Sequence, residues 1–146
     1  MNVDEASAAL DAVASAKRSV GAATAVPLWR HAAFGLLMAL AILAAAIGSG
    51  LRMVPLMFST ALLIFLLQWD RKQMGMFVNG YRYGRTLPLT MALLLILIGI
   101  AFAAIRLETS GQPMLALLTV PVAFVVGLVA SLWWERIFLA EMGVGR

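Results

Sequence analysis

Four long apolar runs dominate the chain. They cover residues 31–49, 53–69, 87–105 and 114–134, and none of them contains Asp, Glu, Lys or Arg. A helix rises about 1.5 Å per residue, so roughly 20 such residues cross a hydrocarbon core of about 30 Å. The pattern therefore predicts four transmembrane helices, and the fold class is expected to be an all-α integral membrane four-helix bundle.

Short polar breaks join the runs in pairs. The first break carries Gly48, Ser49, Gly50 and Arg52, and the second covers residues 106–112. Connections this short force consecutive helices to lie side by side in opposite directions. We therefore expect two antiparallel helix pairs.

A longer central loop, residues 70–86, joins the two pairs. Asn79 and Gly80 stand between two short stretches of apolar and aromatic residues, which is the strongest short signal for a type I′ turn. We expect a small cytoplasmic β-hairpin here. The loop could simply connect the helix pairs, with basic side chains that snorkel to the membrane surface. Alternatively, these residues could contact anionic lipid or a partner protein. The basic residues are Arg71, Lys72, Arg82 and Arg85.

Basic residues predict the orientation, because cytoplasmic flanks of membrane spans are enriched in Lys and Arg. Six flank the spans on the side of the termini and central loop, against two on the other side. All four tryptophans fall on the first side as well, as an interfacial belt would. Both termini and the loop should therefore be cytoplasmic, with residues 1–30 a cytoplasmic helix and linker and 135–146 a cytoplasmic tail. The basic residues on the side of the termini are Arg30, Arg71, Lys72, Arg82, Arg85 and Arg136, and those on the other side are Arg52 and Arg106.

Residues 3–20 form the remaining predicted element. Acidic residues at the start, basic residues near the end and Gly21 afterwards suit a helix. An apolar stripe including Leu10 and Val13 runs along it but is too short for a coiled coil. The helix is expected to lie on the bundle or headgroups, or alternatively to dock onto a partner or a second copy.

The composition supports a membrane protein and excludes several other classes of function. The chain is 63% hydrophobic and 12% charged, well outside the range of soluble domains. It contains no cysteine, and its single histidine, His31, cannot hold zinc alone. We expect no cofactor, and His31 should be a hydrogen-bonding residue at the membrane interface. The net charge of +4 reflects membrane orientation, so no nucleic acid partner is expected.

Small residues follow four-residue spacing on the fourth run, at Ala123, Gly127 and Ser131. Such a row lets helices approach closely in lipid, either within one bundle or between copies. The spans lack the ionisable residues that mark proton-coupled carriers. The seven acidic residues are too scattered to form the magnesium cluster of a lipid phosphotransferase.

Three short stretches carry a family resemblance. The sequence P-L-W-R-H enters the first run, V-N-G-Y-R-Y-G-R-T closes the central loop, and W-W-E-R leaves the last run. With these stretches the chain resembles small uncharacterised four-span proteins of bacterial inner membranes. The resemblance covers nearly the whole chain and implies a location in that membrane, but no activity and no functional residue.

The sequence thus favours a non-catalytic membrane protein that acts by association with itself, lipid or a partner protein. The alternative is a small oligomeric channel or transporter whose pathway lies between copies. Its walls would be hydroxyl side chains, namely Ser59, Thr60, Thr119 and Ser131.

Overall fold

The computed structural model describes residues 3–23, 26–48, 50–74 and 86–141, which form five α-helices. Four of these, α2 to α5, are long and apolar enough to cross a membrane, which confirms the predicted four-span organisation. The helices are α1 (Val3–Ala23), α2 (Leu28–Ala46), α3 (Met53–Met74), α4 (Thr86–Thr109) and α5 (Pro113–Glu141).

The helices differ from the predicted spans at their ends. Helix α3 continues beyond residue 69 to Met74, so the first residues of the predicted loop 70–86 are helical. Two physical effects favour this extension: Asp70 is paired with a residue of α2, and the positive charges of Arg71 and Lys72 suit a helix C-terminus. Likewise, α2 begins three residues early, after the extended Pro27.

The expected β-hairpin around Asn79-Gly80 falls in residues 75–85, outside the described residues. Within the described ranges there is no strand.

The turn between α4 and α5 has a specific C-terminal cap. Gly111 adopts a left-handed φ of 76°, which only glycine adopts without cost. Its N–H donates to the Glu108 carbonyl at 3.1 Å, and the Gln112 N–H donates to the Leu107 carbonyl at 3.0 Å. This pair of bonds is the Schellman motif, which reverses the chain directly and sets α4 and α5 antiparallel.

Helix α2 is the centre of the bundle. It packs on α3, α4 and α5, whereas α3 makes its main contact with α2 alone. The closest approach is between α2 and α5, where a Cβ on Gly35 would lie 2.8 Å from the Phe124 carbonyl oxygen. A Cβ on Gly127 would lie 3.1 Å from the Gly35 Cα atom. Glycine at both positions therefore permits backbone contact between the two helices.

The two ends of the bundle differ in chemistry. At the hairpin end, where the two short turns lie, the core is built from Ile42 and several fully buried alanines. We call the opposite end, where α2 and α4 begin and α3 and α5 finish, the tryptophan end. It carries Trp29, Trp69, Trp133 and Trp134.

Candidate functional site

An ion pair joins α2 to α3 at the tryptophan end. The Arg30 Nε atom donates to Asp70 Oδ1 at 2.7 Å, and Nη2 donates to Oδ2 at 2.5 Å. Both side chains are largely buried, being 20% and 11% exposed. A two-point, charge-assisted contact of this kind fixes geometry as well as adding energy. It therefore sets both the register and the rotation of α3 against α2.

A second polar cluster joins α2 to α5. The His31 side chain is 2% exposed, and its Nδ1 atom lies 2.8 Å from Ser131 Oγ. Its Nε2 atom lies 3.0 Å from Glu135 Oε2, within ion-pair distance, although the geometry is not that of an aligned hydrogen bond. Ser131 and Glu135 stand four residues apart on α5, which places both on the face towards α2.

The nearby Glu135 carboxylate favours one arrangement of hydrogens on a neutral His31. This is the tautomer with hydrogen on Nε2, in which Nδ1 is an acceptor. In that tautomer the Ser131 Oγ–H donates to Nδ1. The other Glu135 oxygen, Oε1, accepts from the Val26 N–H at 3.1 Å, just before α2 begins. Glu135 thus contacts both the backbone that precedes α2 and the buried histidine of α2.

Aromatic rings surround these polar contacts. Trp29 meets Trp69 edge-on at a centroid distance of 4.9 Å and also lies 6.4 Å from Phe65. Trp134 stacks on Phe138 at 5.1 Å. These aromatic contacts reinforce the α2–α3 junction and the end of α5, whereas Trp133 is exposed.

A cavity lies beside the histidine cluster, between α2, α4 and α5. Its volume is about 230 Å³, and it is partly open to the outside. One part of its wall is polar and the other apolar. The lining residues are Arg30, Thr90, Ser131 and Trp134 on the polar side, and Phe34, Leu89, Leu93 and Ala130 on the apolar side.

The small-residue row predicted on α5 faces α2 of the same chain. Ala123 is fully buried in the core, Gly127 meets Gly35 and Met38, and Ser131 contacts the histidine. The row is therefore used for packing within this bundle.

The predicted basic contact divides between described and undescribed residues. Arg71 and Lys72 are exposed on the last turn of α3, while Arg82 and Arg85 lie outside the described residues.

The hydroxyls predicted to line a pathway differ in burial and in hydrogen-bond partner. Ser59 donates to the Leu37 carbonyl of α2 at 3.4 Å, whereas Thr60 is exposed and donates to a carbonyl of its own helix. Thr119 donates to a carbonyl of α5, and Ser131 is buried against α2.

Sequence reasoning missed the two polar clusters. It predicted that His31, near the start of the first span, forms hydrogen bonds, and the contact with Ser131 agrees with this. It did not predict that the imidazole is buried between helices, where α5 supplies a hydroxyl and a carboxylate at the same level along the helix axes. A usable signal was present: Ser131 and Glu135 have helical i, i+4 spacing. Arg30 and Asp70 also stand at the adjoining ends of two antiparallel spans.

The four apolar helices and their antiparallel packing define a multi-pass α-helical membrane protein. In comparisons with known proteins, no family model, curated protein or solved structure matches the chain.

Proposed function

We propose that this chain is a non-catalytic membrane protein that acts by association with itself, lipid or a partner protein. One observation carries the proposal: α1 has no close packing against another described helix, and two apolar residues of its stripe, Leu10 and Val13, are exposed. Leu10 is 70% exposed and Val13 is 55% exposed. Full burial of such a side chain is worth about 1.5–3 kcal/mol, so covering the stripe favours association.

The polar residues of the bundle support the same proposal. Arg30 and Asp70 are occupied in joining α2 to α3, and His31 and Glu135 in joining α2 to α5. Each of these groups has a structural task in holding neighbouring helices together. Activity through an exposed surface is therefore favoured over chemistry inside the bundle.

We also propose that the chain lies in a bacterial inner membrane with both termini in the cytoplasm. Arg71 and Lys72 are exposed at the tryptophan end, where they can meet the headgroups of the cytoplasmic leaflet. At the hairpin end, Arg52 donates to the Ala44 carbonyl at 3.0 Å, and Arg106 lies over the Phe102 ring. Both of these cations are thus engaged by the chain itself.

The absence of cysteine makes the orientation directly testable. Single cysteines replace Ser110, in the α4–α5 turn, or Lys72, at the end of α3, and intact cells are treated with an impermeant maleimide. We expect Ser110→Cys to be labelled in intact cells and Lys72→Cys only after the membrane is opened. The reverse pattern would refute the proposed orientation.

The association itself is tested by a photo-cross-linking residue placed at Leu10 in the native membrane. The matched control is Ala8, which is also exposed but lies on the opposite face of α1. We expect cross-links from position 10 to a second copy, lipid or a distinct protein, and few from position 8. Equal cross-linking yields from the two positions would refute the proposal that the apolar stripe of α1 is the surface of association.

The identity of the cross-linked product separates the kinds of association. A product of twice the chain mass indicates a homo-oligomer, for which ion or solute flux through reconstituted vesicles then tests the channel alternative. A product with another protein makes the chain a subunit or scaffold of that partner.

A further inference from the structure

We propose that the cavity between α2, α4 and α5 binds the head group of an acidic phospholipid from the leaflet around the tryptophan end. The inference rests on the cavity alone and does not depend on the role proposed for α1. It concerns a different place from the exposed basic residues at the end of α3.

The charge of the wall favours an anion. Among the described residues that line it, Arg30 is the charged one. Its partner Asp70 takes hydrogens from Nε and Nη2, and no described residue accepts from Nη1, so the guanidinium can bind a second acceptor. In addition, α2 and α4 both begin at this end, and the partial positive charge of a helix N-terminus favours negative groups.

The division of the wall into polar and apolar parts favours a lipid over a soluble anion. Arg30 and Trp134 form a polar part of the wall, whereas Phe34 and Leu93 provide apolar surface that an inorganic anion cannot use. Leu93 lies seven residues into α4, roughly 10 Å along its axis, so the cavity reaches from the headgroup region into the hydrocarbon.

The size limits how much of the lipid enters. A volume of about 230 Å³ equals roughly eight water molecules and is below the ~300–1,000 Å³ of pockets that enclose whole drug-sized ligands. The phosphate and the adjoining part of the glycerol fit within it. The acyl chains then remain in the surrounding bilayer.

Native mass spectrometry of the whole chain, released from nanodiscs of phosphatidylglycerol and phosphatidylcholine, tests the proposal. We expect one retained phosphatidylglycerol per chain. Both lipids carry a phosphate, so the preference comes from the net negative charge of phosphatidylglycerol and should be about fivefold, the ratio that roughly 1 kcal/mol for one basic residue gives.

Two variants locate the binding site. Ala130→Leu fills the cavity and leaves both residues of the ion pair in the chain, and Arg30→Gln removes the positive charge from its wall. Their matched controls are Ala41→Leu, on an exposed position of α2, and Arg106→Gln, exposed at the hairpin end. A further variant, Arg71→Gln at the exposed end of α3, tests the outer surface at the tryptophan end. We expect both site variants to lose at least most of the preference and both controls to retain it.

Lipid binding is compared only for variants whose tryptophan emission and helicity match those of the folded wild-type chain. Ala130→Leu provides the decisive result if Arg30→Gln fails to fold. An equal loss in Arg71→Gln and Arg30→Gln would place the lipid on the outer surface and overturn the proposal. So would an absence of preference in the wild type, or displacement of the lipid by inorganic phosphate in detergent.

Discussion

Replacing Gly35 by alanine should weaken the contact between α2 and α5. The new Cβ would lie 2.8 Å from the Phe124 carbonyl oxygen, whereas ordinary carbon–oxygen contacts lie at roughly 3.3–3.6 Å. The two helices must therefore separate by roughly 0.5–0.8 Å. A gap of about this size forfeits a quarter to a half of the dispersion energy at each affected contact.

The expected cost is that of overpacking a core, about 1–3 kcal/mol. It corresponds to a roughly 5- to 150-fold change in the unfolding equilibrium. The backbone oxygen of Phe124 belongs to a helix and cannot rotate aside as a side chain does. Relief must come from movement of the whole helix, which also strains the His31–Ser131 contact one turn away.

Reversible unfolding in mixed micelles of increasing dodecyl sulfate content measures this cost. Helicity by circular dichroism reports the spans, and tryptophan emission reports the tryptophan end. Gly99→Ala is the matched control, since a Cβ there meets no described atom within 4 Å. It should lose no stability and gain up to about 1 kcal/mol from the better helix propensity of alanine.

Gly127→Ala should fall between these two variants. Its Cβ would lie 3.0 Å from Met38 Cγ, which is flexible, and 3.1 Å from the Gly35 Cα atom, which is not. Equal unfolding midpoints for Gly35→Ala and Gly99→Ala would show that α2 and α5 do not meet at Gly35. The helix pairing described here would then be wrong.

The polar clusters give two further predictions by the same assay. Asp70→Asn removes the charged partner of Arg30 and should cost about 1.5–3 kcal/mol, whereas Arg71→Gln at the exposed end of α3 should remain within about 0.5 kcal/mol of wild type. Ser131→Ala leaves the buried Nδ1 of His31 without its hydrogen-bond donor and should cost about 1–3 kcal/mol. A midpoint unchanged by either substitution would mean that the corresponding cluster does not hold its helices together.

The number and approximate positions of the spans followed from the sequence because bilayer thickness sets the length of an apolar helix. The short turns likewise required antiparallel pairs. These inferences depend only on local features, which a single stretch of residues contains.

The packing of α2 against α5 could not be predicted from local sequence features. The small-residue row on α5 marked a packing face, but nothing in the sequence indicated that α2 is the helix packed against it, because the other spans are also apolar and carry small residues. The partners His31 and Ser131 are 100 residues apart, and their contact depends on the rotation of both helices. Asp70 was assigned to a loop for a related reason, since its helical state depends on Arg30 of another span.

The separation between the partners in α2 and α5 has a consequence for synthesis. Ribosomes add about 5–20 residues per second, so α5 follows α2 after roughly 5–20 s. During that interval Gly35 has no helix against it, and His31 lacks its hydroxyl and carboxylate partners. A nascent chain halted before α5 therefore leaves a polar imidazole on the face of α2 that α5 later covers, and only completion of the chain removes this defect.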